Sequence, residues 1–545
     1  MSKWIKGNIF LFCFLGVIFL SFFVRFYRLS DFPVGFHIDE SILGYTGYSL
    51  LLTGKDTNNI NSLYTEVFGD FIPIGYHYLT IIPIKLFGLT EFSTRFPGAF
   101  LGALTVVLAY LLSYSIFQNK KISIVSSLFL AISPWHIILS RGSSEAVASL
   151  FFIVAGFAAV LQSIRKENKK LLYLGTVFLC MSFFFYHAAR LFVPLFYLST
   201  IFLFSFFWKF KKHTYKIAFF SSFLICAFVS FLLVFVIVGG NSRFNQVSIF
   251  NYPETKLVME EQIREDGVSH TPVLLTRVFH NKIFDYSWTF LSNYFDYFSA
   301  NFLFLKGGLP IFFNVPRMGL VYGIQLFFIV LGAFLLAKSK DIFQKIPLIW
   351  LFLAPVVGAL TVDDVPNIRR AIIMVPALEI IAAYGVFSSI NYSLFRKLKK
   401  PAIVTLGILF LFSFSYFLHQ YFVHTEVHRT WYRNNGVKSM IDTVKKSYNE
   451  YDKIIVTKST GGIYPLILFY MKMDPRIYQE AGSPKDREYT GFAKFFFVPQ
   501  ACPSRDKDNK FPDGRSIYVD NGTCGTQGIV INKEDGTKAF RIVYD

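Results

Sequence analysis

Apolar stretches broken by short polar turns run through the chain from residue 8 to residue 421. Read as membrane-crossing helices, they fall near 8–26, 95–117, 121–140, 144–163, 171–187, 190–208, 216–238, 318–337, 345–361, 370–392 and 401–421. Each is roughly 17–23 residues long, and a helix rising about 1.5 Å per residue needs about 20 residues to cross about 30 Å of hydrocarbon. The segment 72–89 is also apolar, but Pro73, Gly75, Pro83 and Lys85 suit an interfacial or re-entrant helix better than a crossing. The pattern predicts a multi-pass α-helical membrane protein of about 11 transmembrane helices, and up to 13 if 72–89 and a compensating segment also cross.

From about residue 424 the pattern changes to that of a soluble domain. Lys453 to Thr457, Phe495 to Val498, Ser516 to Val519, Gly528 to Asn532 and Ala539 to Val543 are short strand candidates, and Val437 to Tyr448 and Ile463 to Lys472 read as helices. These predict a small α/β domain over 424–545, following a membrane domain over 1–423.

Composition agrees with the pattern. The chain is 53% hydrophobic and 19% aromatic, with 67 Phe, more than a soluble domain can bury. The first apolar run lacks a small-residue cleavage site and is followed by Arg25 and Arg28, so it reads as a retained helix and not a signal peptide.

A net charge of +19 raises the question of nucleic acid, but the placement of the charge argues against it. Lys and Arg gather in short loops: Lys120 and Lys121; Arg165, Lys166, Lys169 and Lys170; Lys209, Lys211, Lys212 and Lys216; Lys338, Lys340 and Lys345; Arg396, Lys397, Lys399 and Lys400. Cytoplasmic loops carry such an excess, so the N-terminus, with Lys3 and Lys6, is expected in the cytoplasm of a cell (plasma or inner) membrane. The lipid bilayer is the expected partner of these basic residues. An odd number of crossings places the 424–545 domain outside.

This topology leaves two long external loops. The first, 27–94, carries Phe36-His37-Ile38-Asp39-Glu40, Asp70 and His77, and its segment Glu40 to Leu52 suits an amphipathic helix lying on the membrane. The second, 239–317, is polar and aromatic, with Asn241, Arg243, Gln246, Arg277, Asn281 and Lys306. Short external turns carry Arg141 with Glu145, His187 with Arg190, and Asp363, Asp364, Arg369 and Arg370.

A carboxylate pair beside a bilayer is costly to desolvate, and a carboxylate can take a proton from an attacking hydroxyl. Arginine holds phosphate through two parallel hydrogen bonds and stays charged. Asp39 and Glu40 with Arg141, Arg190, Arg369 and Arg370 therefore describe displacement of a lipid phosphate at an external surface. Each also has a plainer reading: loop acids, a helix anchor for Arg369 and Arg370, an i,i+4 ion pair for Arg141 and Glu145, a helix-end cap for His187. No spacing of His, Cys, Asp or Glu demands a metal, and no cofactor motif occurs, so neither is expected. Cys13, Cys180 and Cys226 read as packing residues within spans. Cys502 and Cys524 fall in the soluble domain, where a disulfide is one option.

Three blocks resemble the membrane-embedded GT-C glycosyltransferases of the protein O-mannosyltransferase and aminoarabinose-transferase kind, especially their bacterial members. The first is Phe32 to Glu40 (FPVGFHIDE) with Gly44-Tyr45. The second is Leu86 to Leu89 (LFGL) and Glu91 to Pro97 (EFSTRFP), then Ser133 to His136 (SPWH) and Ser140-Arg141. The third is Tyr186 to Arg190 (YHAAR) with Val362 to Arg370 (VDDVPNIRR). The resemblance covers about residues 1–420. It implies a GT-C-like fold and a polyprenyl-phosphate-linked sugar donor. It further implies Asp39 as catalytic base with Glu40 beside it, and a donor phosphate facing Arg369 or Arg370 and, less directly, Arg141 or Arg190. The chain departs from relatives at Ile72, where a Lys often precedes the Pro, and at Asn367, where a His often precedes the arginines.

The expectation is thus an inverting glycosyltransferase that moves a sugar from a polyprenyl-phosphate carrier to a hydroxyl acceptor at the outer membrane face. His37, Asp70, His77, His187 and Glu145 are further site candidates. The competing readings are a transporter or flippase of lipid-linked oligosaccharide, an oligosaccharide-transferring ligase, and a receptor sensing through 424–545. A transporter should carry its charges deep in helices, whereas here they sit at the ends of spans.

Overall fold

A computed structural model describes residues 3–61, 63–67, 70–208, 210–236, 247–251, 253–391, 399–428, 430–459, 461–482, 490–506, 511, 513–525 and 527–545. Asn241, Arg243 and Gln246 lie outside the described residues, as does the side chain of Asp70.

The chain forms two compact units. The first comprises Met1–Val24, Leu101–Leu139 and Ala146–Phe417. The second comprises Arg25–Phe100, Ser140–Glu145 and Leu418–Asp545, so the first long loop belongs with the soluble domain. The chain opens with α1 (Lys3–Phe26), and Glu91–Phe117 is a longer helix, α4.

Among the described residues, eight helices are long and apolar enough to cross a membrane, and nine if Lys120–Ile132 and Pro134–Arg141, bent by 53°, form one span. The others expected to cross are the 14-residue helices Lys169–Ser182 and Gln325–Lys338.

The first unit is a helical bundle. Its outer faces carry exposed Phe19, Phe202, Phe206, Phe327 and Phe412, as lipid-facing surfaces do. Inside, Trp350 is ringed by Phe157, Phe192 and Phe196, and its Nε1 donates to the Ile373 carbonyl at 2.6 Å. Backbones touch where helices Gln325–Lys338 and Val375–Asn391 meet. A Cβ on Gly332 would lie 2.2 Å from the Ile381 carbonyl oxygen, and one on Gly385 2.1 Å from that of Phe328. Small residues let membrane helices approach this closely and gain dispersion contact.

The second unit begins with helix α2 (Ile38–Thr53), then the hairpin β1 (Tyr64–Val67) and β2 (Asp70–Pro73), then α3 (Gly75–Phe87). At 13 residues and with Pro83 inside, α3 is too short to cross a bilayer. The C-terminal part adds β3 (Lys453–Thr457), β4 (Gly491–Phe492), β5 (Phe495–Val498), β6 (Ser516–Asn521), β7 (Ile529–Asn532) and β8 (Lys538–Tyr544). They form a six-stranded sheet in the order β4-β5-β3-β6-β8-β7, with β3 parallel to both β5 and β6. Alternation sets its faces: Ile454, Val456, Phe495, Phe497, Ile517 and Val519 bury against helices Val437–Lys446 and Tyr464–Met471. Cys502 and Cys524 form a disulfide with an S–S distance of 2.01 Å, resolving the option left by the sequence.

Helix α2 is not a membrane-surface helix. Ten of its residues, Gly44, Tyr45 and Leu50 among them, are buried. Phe36 stacks near Phe469 at 4.7 Å, Tyr45 Oη donates to the Met473 carbonyl at 3.1 Å, and Gln479 Nε2 donates to the Asp56 carbonyl at 2.7 Å. A Cβ on Gly44 would lie 2.4 Å from Thr94 Oγ1 and 2.7 Å from the Phe469 ring. The apolar face that suggested a bilayer is covered by α3 and by helix Tyr464–Met471.

Candidate active site

The turn leading into α2 depends on Gly35, whose φ is +77° and whose Cβ position lies 2.4 Å from the Arg433 carbonyl oxygen. No other residue suits both the left-handed backbone and the close approach. His37 follows as the N-cap: its Nδ1 accepts from the Asp39 N–H at 3.2 Å. Glu40, at the third helical position, closes a capping box by accepting from the His37 N–H at 3.2 Å.

Consecutive helical residues point about 100° apart, so the acid pair divides. Glu40 turns inward and is 2% exposed. Its carboxylate accepts from Arg95 Nε at 2.9 Å, Arg433 Nη2 at 2.6 Å and Ser143 Oγ at 3.1 Å. Burial alone would raise its pKa, but the charges of Arg95 and Arg433 outweigh it and hold the group at about 2. Asp39 turns outward with a side chain 52% exposed, its Oδ1 3.6 Å from His37 Nδ1. Glu40 is therefore no proton acceptor near neutral pH, and of the two acids Asp39 alone faces outward. The lone pairs of Glu40 are taken by five donors on four residues.

Arg141 lies in the same unit and is fully buried. Its guanidinium donates to the carbonyls of Arg25, Tyr27 and Phe32 at 3.1, 2.8 and 3.2 Å and lies over the Tyr421 and Phe422 rings. Those bonds shape the 25–32 turn. Glu145 opens helix Glu145–Lys166 and is 8% exposed. His77 in α3 is fully buried. Burial lowers its pKa to about 4, so it is a neutral core group and not a proton shuttle.

The remaining arginines belong to the first unit. Arg370 grips Asp363 through Nη2, at 2.8 Å to Oδ1 and 2.9 Å to Oδ2, and through Nη1 reaches Thr361 Oγ1 at 2.9 Å and the Asp363 carbonyl at 2.6 Å. Asn367 caps this turn: its Oδ1 accepts from the Arg369 and Arg370 N–H groups at 3.0 and 2.9 Å, while its own N–H donates to Tyr297 Oη at 3.0 Å. The residue that departs from relatives is thus a local cap. Arg369 is half-buried, its guanidinium carbon 5.9 Å from the centre of the Tyr186 ring. Arg190 Nη1 lies 2.8 Å from His187 Nδ1, and its Nε and Nη2 donate to the Phe183 carbonyl at 3.1 and 2.9 Å. His187 is the first residue of helix His187–Phe207, whose N-cap is Tyr186 with no side-chain cap bond.

Sequence reasoning missed Arg433, Ser143 and Tyr297 as contributors. Arg95 stood in a quoted block without a role. Nothing in the local pattern marks Arg433 as the partner of an acid 393 residues away. Among the described residues, no three His, Cys, Asp or Glu side chains come together as a metal site.

No protein-family profile matches the chain. A curated protein of Aquifex aeolicus (strain VF5), described as uncharacterized, is 30% identical over 101 residues, which are 18% of this chain and 20% of that one. Two solved proteins share the architecture. ArnT from Cupriavidus metallidurans superposes with a TM-score of 0.54 in its apo state, at 11% identity over 98% of both chains. Bound to undecaprenyl phosphate it gives 0.53, at 11% identity over 99% of this chain and 98% of that one. The oligosaccharyltransferase AglB from Archaeoglobus fulgidus, in complex with an inhibitory peptide and a dolichol-phosphate, gives 0.51 at 14% identity over 86% of this chain. The match spans 64% of the AglB chain. At such identities the likeness defines the fold: this is a multi-pass membrane protein of the GT-C architecture with a small C-terminal sheet domain, as the sequence blocks implied.

Proposed function

We propose that the protein is an inverting glycosyltransferase that takes a sugar from a polyprenyl-phosphate carrier and places it on a hydroxyl acceptor at the extracytoplasmic face. The observation that carries this is the outward Asp39, presented at the head of α2 by the buried Glu40 clamp. The fold shared with a protein solved with undecaprenyl phosphate supports the class of donor.

In this reading Asp39 accepts the acceptor's hydroxyl proton while its oxygen attacks the anomeric carbon. The bond from that carbon to the phosphate oxygen breaks on the opposite side, and polyprenyl phosphate leaves with the bonding electrons. Arg369 is assigned to the departing phosphate, where fixed positive charge stabilises the developing anion. Arg370, gripped by Asp363, shapes the turn that carries Arg369. The likeness to an oligosaccharyltransferase favours a second reading, in which the transferred group is an oligosaccharide. Incubating membranes with labelled polyprenyl-phosphate monosaccharides or lipid-linked oligosaccharides, with and without Asp39→Asn, tests both. Transfer from neither donor class defeats the proposal.

A further inference from the structure

Helix Lys282–Asp296, in the second long loop, buries none of its residues fully. Phe284, Trp288, Leu291 and Phe295 recur at helical spacing on one face and are 49, 68, 46 and 64% exposed. Exposed Lys282, Ser292 and Asp296 share a polar flank about 110° round the helix from that stripe.

One flank of this helix is fastened to a span. Asn293 Nδ2 donates to the carbonyls of Ala359 and Thr361 at 3.3 and 3.0 Å, and Tyr294 Oη donates to the Phe352 carbonyl at 2.8 Å. The rings of Phe298 and Phe352 meet at 5.9 Å. Ala359 ends the apolar span Ile342–Ala359. Phe352 lies about 10 Å deeper along it, at about 1.5 Å per residue, and is itself 55% exposed. The aromatic stripe is therefore continuous with the lipid-facing surface of a crossing helix, at a depth inside one leaflet.

We propose that helix Lys282–Asp296 lies half-embedded in the leaflet where that span ends at Ala359. Phe284, Trp288, Leu291 and Phe295 sit among acyl chains, and Lys282, Ser292 and Asp296 face the headgroups. Leaving four large apolar side chains in water costs about 25 cal/mol per Å² of surface, a cost that insertion removes. Tryptophan at the interface and a basic residue at the helix start, Lys282, suit a helix lying on a membrane.

The test uses the full-length protein, with Cys13, Cys180 and Cys226 replaced by Ala, in nanodiscs of phosphatidylethanolamine and phosphatidylglycerol. Single spin labels are introduced by Phe284→Cys, Trp288→Cys, Leu291→Cys and Phe295→Cys, and by Lys282→Cys, Ser292→Cys and Asp296→Cys. The first set should collide freely with oxygen and several-fold less with a water-soluble nickel chelate, and the second set the reverse. In unlabelled protein, brominated acyl chains should quench an emission component that Trp288→Phe removes. Equal nickel access on both faces overturns the proposal. So does protection that appears only after adding polyprenyl phosphate, which assigns the stripe to the carrier's tail. Spin–spin broadening that dilution with unlabelled protein abolishes would assign it to a second copy, overturning the proposal equally.

Discussion

The carboxylate of Glu40 meets the guanidinium of Arg433 at 2.6 Å, joining residues 393 positions apart within one compact unit. Arg95 holds the other carboxylate oxygen at 2.9 Å. The first turn of α2, and the outward Asp39 on it, is thereby tied to the start of the C-terminal domain. Removing one partner of a buried pair leaves an uncompensated charge, at a cost of about 3–5 kcal/mol. Arg433→Ala should lower thermal stability in detergent accordingly and depress kcat, and Arg433→Lys should recover part of both. Unchanged stability in Arg433→Ala would mean that the clamp does not hold the loop.

Glu40 also sets a pH dependence. Its pKa falls from the ordinary value of 4.5 to about 2 on folding, because Arg95 and Arg433 outweigh the effect of burial. A depressed carboxylate contributes its full stabilisation above the unfolded pKa and loses it as pH falls through the folded one. About 3 kcal/mol should disappear between pH 4.5 and pH 2, at about 1.4 kcal/mol per pH unit. Unfolding midpoints of wild type and Glu40→Gln, measured across that window, should converge as the pH drops.

Gly44 tests the packing that seats α2. A methyl group there would press on Thr94 Oγ1 and the Phe469 ring, and overpacking of this kind costs about 1–3 kcal/mol. Gly44→Ala should lower the unfolding temperature, whereas Gly54→Ala, which meets no atom within 4 Å, should act only through its φ of +71°. Equal losses at both positions would argue against close packing at Gly44.

Arg141 and Arg369 should separate by kinetics. Arg141→Ala frees the carbonyls of Arg25, Tyr27 and Phe32 from their shared donor, so the expected outcome is lost stability with an unchanged donor KM in the folded fraction. Arg369→Ala should retain stability within about 1 kcal/mol and lower donor kcat/KM by about tenfold or more. The reverse pattern would return the phosphate role to Arg141.

The fold was largely legible because its two periods are strong. Apolar runs near 20 residues located the crossing helices, and the short β-branched run Ile454-Ile455-Val456-Thr457 located a central strand, buried on both faces. Legibility failed where burial comes from partners distant in sequence. Helix α2 reads in sequence as a bilayer-surface helix because its partners, the Phe469 ring beside Gly44 and the Met473 carbonyl that accepts from Tyr45, lie more than 400 residues on. The site was half legible. The acid pair stood out, but which acid faces outward follows from the capping box and from Arg433, which no local pattern reveals. The Arg141 guanidinium satisfies backbone carbonyls, a role indistinguishable in sequence from phosphate binding.

The most direct test of the central claim is sugar transfer by purified Asp39→Asn protein, assayed with labelled polyprenyl-phosphate donor. Its unfolding midpoint should match wild type, since the side chain is 52% exposed and outside the clamp. The account predicts a folded variant whose transfer rate falls by about 100-fold or more, the usual worth of a general base. A folded Asp39→Asn protein that transfers sugar at the wild-type rate would contradict it.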